Sequence, residues 1–166
     1  MPKILLFLMI IKLGGAVQTP IPTALPAKLC KELHIIQKAA VRNNCKGDDF
    51  LILLAIRMAE NGGPGKEFGV KHPKAWGTNL DTQAGWAAAT IVNNRKRFER
   101  IRDTPENAQL IVTPFINFLA NRYCPVASDP QGNIHWKRNV LYWYRKFSNE
   151  KNQTTWQTAV GTPVQR

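Results

Sequence analysis

Glu60 closes an apolar helical run, Asp48–Met58, and stands directly before the breaker Asn61-Gly62-Gly63-Pro64-Gly65. A carboxylate in that position has a hydrophobic core behind it and a glycine loop in front. Partial burial disfavours the charged form and raises a carboxyl pKa, which keeps a proton available for general acid catalysis. Cleavage of a glycosidic bond needs such an acid, because the leaving oxygen is protonated as the bond breaks. The spacing points to a small helical enzyme acting on a polysaccharide. The plainer alternative is a solvated Glu near a helix C-terminus, where the macrodipole makes a negative charge slightly unfavourable. A residue kept against that preference is a candidate for chemistry.

Hydrolysis by two carboxylates needs a partner across the scissile bond. Glu67 lies across a loop that could fold back towards Glu60, although a loop carboxylate in water is the plainer reading. Asp81 is placed to cap a helix starting at Thr82, the ordinary role of Asp there. Phe68, Trp76 and Tyr123 fall in or beside the loops that would frame a cleft, where aromatic rings can stack on sugar. Trp86, Trp136 and Trp143 recur at helical spacing with apolar neighbours and read as core. His34, His72 and His135 are scattered, no cysteine–histidine spacing suggests zinc, and no metal or other cofactor is expected. The glycines at 62–65 lack the Lys-Ser/Thr of a phosphate loop, and Ser128 and Ser148 support no serine triad.

The elements that must carry these residues are helical. Ala27–Asn44 shows an apolar stripe of Leu29, Leu33, Ile36, Ala40 and Val41. Asp48 is expected to cap the next helix, whose residues Phe50 to Met58 are apolar on most sides and place it centrally. Residues 62–76 read as a loop or short hairpin, with Phe68-Gly69-Val70 as its strand-like piece. A long helix over Asp81–Arg100 carries Ala84, Ala87, Ala88, Ile91 and Phe98 inward, and Arg95, Lys96, Arg97 and Arg100 outward. Thr104-Pro105-Glu106 starts a fourth helix running to about Tyr123. A loop through Asn133 precedes a last helix, His135–Phe147, and the polar residues 148–166 read as a loose tail.

At 166 residues the chain supports one domain. Twenty-three Lys and Arg against eleven Asp and Glu leave +12, which favours polyanionic partners: nucleic acid, anionic lipid or the bacterial wall. Residues 1–16 pair a basic residue and a short apolar run with small residues at Gly14 and Ala16. That is either a secretory signal or an apolar segment packed on the domain. The run is too short for a comfortable membrane span. Residues 17–26 form a Pro-rich connector. Cys30 and Cys45 flank the first helix and could bridge only if its ends approached, with Cys124 left over.

This order of elements resembles the lysozyme-like superfamily, and within it the soluble lytic transglycosylases and phage-type cell-wall lysins. The residues carrying the likeness are Ala55-Ile56-Arg57-Met58-Ala59-Glu60-Asn61-Gly62, Glu67-Phe68-Gly69-Val70, Gln83-Ala84-Gly85-Trp86-Ala87-Ala88 and Ala120-Asn121-Arg122-Tyr123. The closing stretch Asn133 to Val140, with Tyr142-Trp143-Tyr144, is similar to the last helix of small muralytic domains. The resemblance implies a mainly α, lysozyme-like helical domain over residues 27–147, with a small loop or β-hairpin region after the central helix. It implies that Glu60 is the catalytic acid, that Gly69 lines a sugar cleft, and that Asn121 and Tyr123 support the bound sugar. Asn61 stands where transglycosylases usually have Ser, and could orient the carboxyl by a hydrogen bond. Lys71 falls near the usual Gln, with Gln83 the nearest later one, and Asn121 precedes Tyr123 where Tyr-Asn is the commoner order.

The implied activity is cleavage of the β-1,4 bond between N-acetylmuramic acid and N-acetylglucosamine, as hydrolase or transglycosylase. The expected partner is the peptidoglycan glycan strand, met by a monomer with no stable membrane span. Such a protein is exported to the periplasm or beyond, or carried in a phage particle. The competing readings are a basic helical nucleic-acid-binding protein and a non-catalytic wall-binding or virion structural domain. The first would use Arg95-Lys96-Arg97, Arg100, Arg102, Lys137-Arg138 and Arg145-Lys146 on phosphates. No helix-turn-helix, zinc or RNA-binding signature accompanies it.

Overall fold

The computed structural model describes residues 25–101 and 108–159. It is mainly α: α1 Ala27–Arg42, α2 Asp48–Glu60, α3 Leu80–Ile101, α4 Ala108–Tyr123 and α5 Pro130–Ala159, with no strand among the described residues. None of these helices is long and apolar enough to cross a membrane. The apolar segment 1–16, most of the connector 17–26, and the start signal Thr104-Pro105-Glu106 lie outside the described residues.

The central position of α2 follows from its composition. Residues Phe50 to Ile56 are all buried, so every face of the helix meets another element. Its main partner is α5, while α1 lies chiefly on α3 and α4 closes against α5 and α3. Trp136 of α5 meets the last residue of α2, and Tyr144, two turns on, lies beside Asp48 at its start. The two helices therefore run antiparallel. In α1 the inward residues are Leu29, Ile36, Ala39 and Ala40, while Val41 is 75% exposed and leaves the expected stripe.

Side chains from other helices decide several helix ends. Asp48 does not cap α2: Gly47 holds the cap position with no side-chain bond, and Asp48 and Asp49 lie in the first turn, where the helix dipole favours them. Arg95 binds Asp49 at 2.6 Å and lies 3.5 Å from the Phe115 ring centroid, so it is engaged inside the fold rather than on a phosphate-binding face. Asp81 does not cap α3 either. Asn79 Oδ1 accepts the Thr82 N–H at 2.9 Å, while Asp81 pairs with Arg42 at 2.7 Å. α5 begins earlier than its apolar pattern, because Asp129 Oδ1 accepts the Gly132 N–H at 2.7 Å and Pro130 sits at the first helical position. It also continues through residues 148–159, where composition pointed to a tail.

Cys30, Cys45 and Cys124 are free thiols. Cys30 lies in the first turn of α1 and Cys45 just beyond its end, and the rigid helix between them, at about 1.5 Å per residue, separates them by roughly 20 Å. A bridge needs Cα atoms within about 7 Å.

Candidate active site

The last residue of α2 enters the site because the helix stops there. Asn61 takes the left-handed conformation (φ 43°), which Asn tolerates better than most residues, and its N–H returns to the Arg57 carbonyl at 3.3 Å. The loop that follows is held from beneath. Arg57, 2% exposed, forms a two-pronged pair with Glu32 of α1 at 2.6 and 2.7 Å, and its remaining nitrogen donates to the carbonyls of Gly62 and Glu67 at 3.4 and 3.3 Å. From α3, the fully buried Gln83 donates its amide to the carbonyls of Gly65 (3.0 Å) and Ala75. Gly77 N–H closes the loop on Gly65 O at 2.9 Å.

So tied, the loop brings Gly69 against Glu60. Gly69 has φ +62° and its Cα abuts the Glu60 carboxyl so closely that no Cβ could stand between them. The indole N–H of Trp136 donates to Glu60 Oε1 at 2.8 Å. Burial pushes the Glu60 pKa above the ordinary carboxyl range, against the opposing pull of the Trp136 hydrogen bond and the Lys71 ammonium. Tyr123 stacks on Trp136 with ring centroids 4.8 Å apart, and burial together with the Glu60 charge pushes its phenol upward. The buried Tyr123 hydroxyl has no hydrogen-bond partner among the described residues.

Beside this group lies a cleft of about 390 Å³. Its walls are residues 69–73 of the loop, Trp86 and Thr90 of α3, and Arg122 and Tyr123 at the end of α4. Gly69 and Tyr123 link the two features: both neighbour the Glu60 carboxyl and both line the cleft. His72 stacks on Trp86 at 4.3 Å with an interplanar angle of 21°, giving the wall a flat aromatic face.

No protein-family model, curated protein or solved structure matches the chain.

The site residues read from the sequence separate into two groups. Glu60, Gly69 and Tyr123 come together, Gly69 and Tyr123 on the cleft wall and Glu60 behind them as their neighbour. Phe68 is fully buried, so its ring anchors the loop in the core and is closed to a ligand. Gln83 is likewise enclosed and braces the loop. Glu67 is 7% exposed, with one carboxyl oxygen unpartnered, and is not on the cleft wall. Asn61 turns away from the carboxyl and accepts from Lys28 at 3.0 Å, leaving Trp136 to orient Glu60. Trp76 is 44% exposed beneath the Lys66 ammonium and is outside the cleft wall, and Asn121 accepts from Asn133 at 3.3 Å. The Phe68-Gly69-Val70 piece is turn rather than hairpin: Gly69 N–H bonds back to Lys66 O, and its positive φ breaks any extended run.

Four residues at the site escaped the sequence reading. Trp136 is core, as its spacing predicts, but a buried indole N–H requires an acceptor, and that requirement was the available signal. Trp86 and His72 form the cleft wall, and Arg122 stands beside Tyr123. Nothing in helical periodicity points to these three.

Proposed function

We propose that this chain is a peptidoglycan glycosidase of lysozyme-like type, cleaving the β-1,4 bond between N-acetylmuramic acid and N-acetylglucosamine with Glu60 as general acid. The observation that carries the reading is a carboxyl with a raised pKa, fixed by an indole N–H and pressed against a glycine, at the edge of an aromatic-walled cleft. Protonated Glu60 gives its proton to the glycosidic oxygen as the C1–O bond breaks through an oxocarbenium-like transition state. The Trp136 N–H then stabilises the carboxylate that remains.

Glu67 is enclosed, and apart from Glu60, which adjoins the cleft through its neighbours Gly69 and Tyr123, no carboxylate among the described residues is placed at the cleft. This favours the substrate-assisted route of a lytic transglycosylase over the two-carboxylate route. The 6-hydroxyl of the muramic acid attacks C1, Glu60 takes the hydroxyl proton, and a 1,6-anhydro end is left.

The test is digestion of purified peptidoglycan by the full chain and by Glu60→Gln, with the products read by mass spectrometry. Glu60-dependent products about 18 Da lighter than reducing ends, one water's mass, are expected, and the variant should lose about 10²–10⁴-fold in rate. Reducing-end products would replace the substrate-assisted route with hydrolysis. Cleavage retained in Glu60→Gln would refute the assignment of the acid.

A further inference from the structure

The charged side chains lining the cleft are all cationic. Lys71 comes from the loop after Gly69 and Arg122 from the end of α4, and both line the cleft whose wall contains the His72–Trp86 stack. Both are exposed, and neither is ion-paired among the described residues. Elsewhere the cations beside acidic groups are matched: Arg57 by Glu32, Arg95 by Asp49 and Arg42 by Asp81. Lys71 is near enough to Glu60 to act on its carboxyl, but neither cation is bound in an ion pair, and two such cations beside a flat aromatic face suit a ring that carries an anion. Arg supplies a planar fork for a carboxylate, and Lys adds a point charge on a flexible stem.

We propose that Lys71 and Arg122 form a carboxylate-binding subsite, with the His72–Trp86 stack as its ring platform, so that the cleft selects an acidic amino sugar over its neutral counterpart. Resting on the glycosidase reading, this assigns the lactyl or peptide carboxylate of muramic acid to the cleft beside Glu60. It excludes uncharged N-acetylglucosamine polymers as good substrates. The selectivity is electrostatic in origin and therefore falls as salt rises.

Equilibrium binding tests the subsite without depending on turnover. Full-length Glu60→Gln is titrated with the disaccharide N-acetylglucosaminyl-N-acetylmuramic acid and, separately, with neutral chitobiose, following tryptophan fluorescence at low and high salt. The expected result is at least about tenfold tighter binding of the acidic sugar at low salt, a preference that shrinks in high salt. Lys71→Gln/Arg122→Gln on the same background should bring the acidic sugar to the chitobiose value, with the circular dichroism spectrum checking that the helices are kept. Equal affinities, a preference that survives the double substitution, or no binding of either sugar at millimolar concentration would overturn the proposal. Salt-sensitive selective binding without wall cleavage by the wild type would leave the subsite standing and remove the catalytic reading. Cleavage without charge preference would do the reverse.

Discussion

The Trp136 indole N–H donates to Glu60 Oε1 at 2.8 Å, joining the second turn of α5 to the last residue of α2 across 76 positions of sequence. The bond fixes one carboxyl oxygen and favours the charged form, while burial favours the neutral one. Trp136→Phe keeps an aromatic ring against Tyr123 and removes only the donor. The Glu60 pKa should then rise further, and the alkaline limb of the pH–rate profile should move to higher pH. The lost hydrogen bond should lower stability by about 1 kcal/mol, measured by urea unfolding. An unmoved alkaline limb would mean that Glu60 does not set it.

Gly69→Ala challenges the close approach directly. The new methyl must both adopt a positive φ and displace the Glu60 carboxyl. Backbone strain alone costs about 1–3 kcal/mol. Wall-cleaving activity should fall by more than this instability explains, because the carboxyl itself is moved. Comparing thermal melts with rates below the melting range separates the two effects.

Arg57 and Arg42 offer a contrast of buried and exposed ion pairs. Removing Arg57 leaves Glu32 without its partner and frees the carbonyls of Gly62 and Glu67, so Arg57→Ala should cost about 3–5 kcal/mol. Arg42 and Asp81 are both more than 40% exposed, and Arg42→Ala should fall within about 0–1 kcal/mol. Urea midpoints for the two variants check the ranking, and equal losses would contradict the clamp assigned to Arg57.

Glu60 should also leave a signature in stability against pH. Its folded-state pKa is raised, so between the unfolded and folded values the native state binds more protons and stability falls as pH rises. Below the unfolded carboxyl pKa, about 4.3, the penalty is absent; above the folded value it is complete. Glu60→Gln removes it. The variant's melting temperature should exceed the wild type's at pH 7, and the gap should narrow towards pH 4. A gap that is constant with pH would show that Glu60 ionises alike in both states.

The linear order of the chain was enough to place α1, α2 and α3 and to single out Glu60. Apolar spacing at 3.6 residues marks α1, α2 and α3, the near-continuous apolar run of α2 makes it central, and Asn61 with its glycines must end it. These are local properties, set by neighbours within a turn or two. Asp129-Pro130 carries an equally local start signal for α5, set in a stretch rich in Pro, Asp and Gly. The direction each side chain takes at the loop and at the helix ends is a different matter. Phe68 and Gln83 turned inward because the core behind α2 had room for a ring and the loop had carbonyls needing donors. Asp81 was drawn to Arg42, leaving the cap to Asn79. The partner of Glu60 was decided by the antiparallel packing of α5 on α2, which brings a distant indole N–H to a carboxyl that nothing nearby in the chain could have oriented.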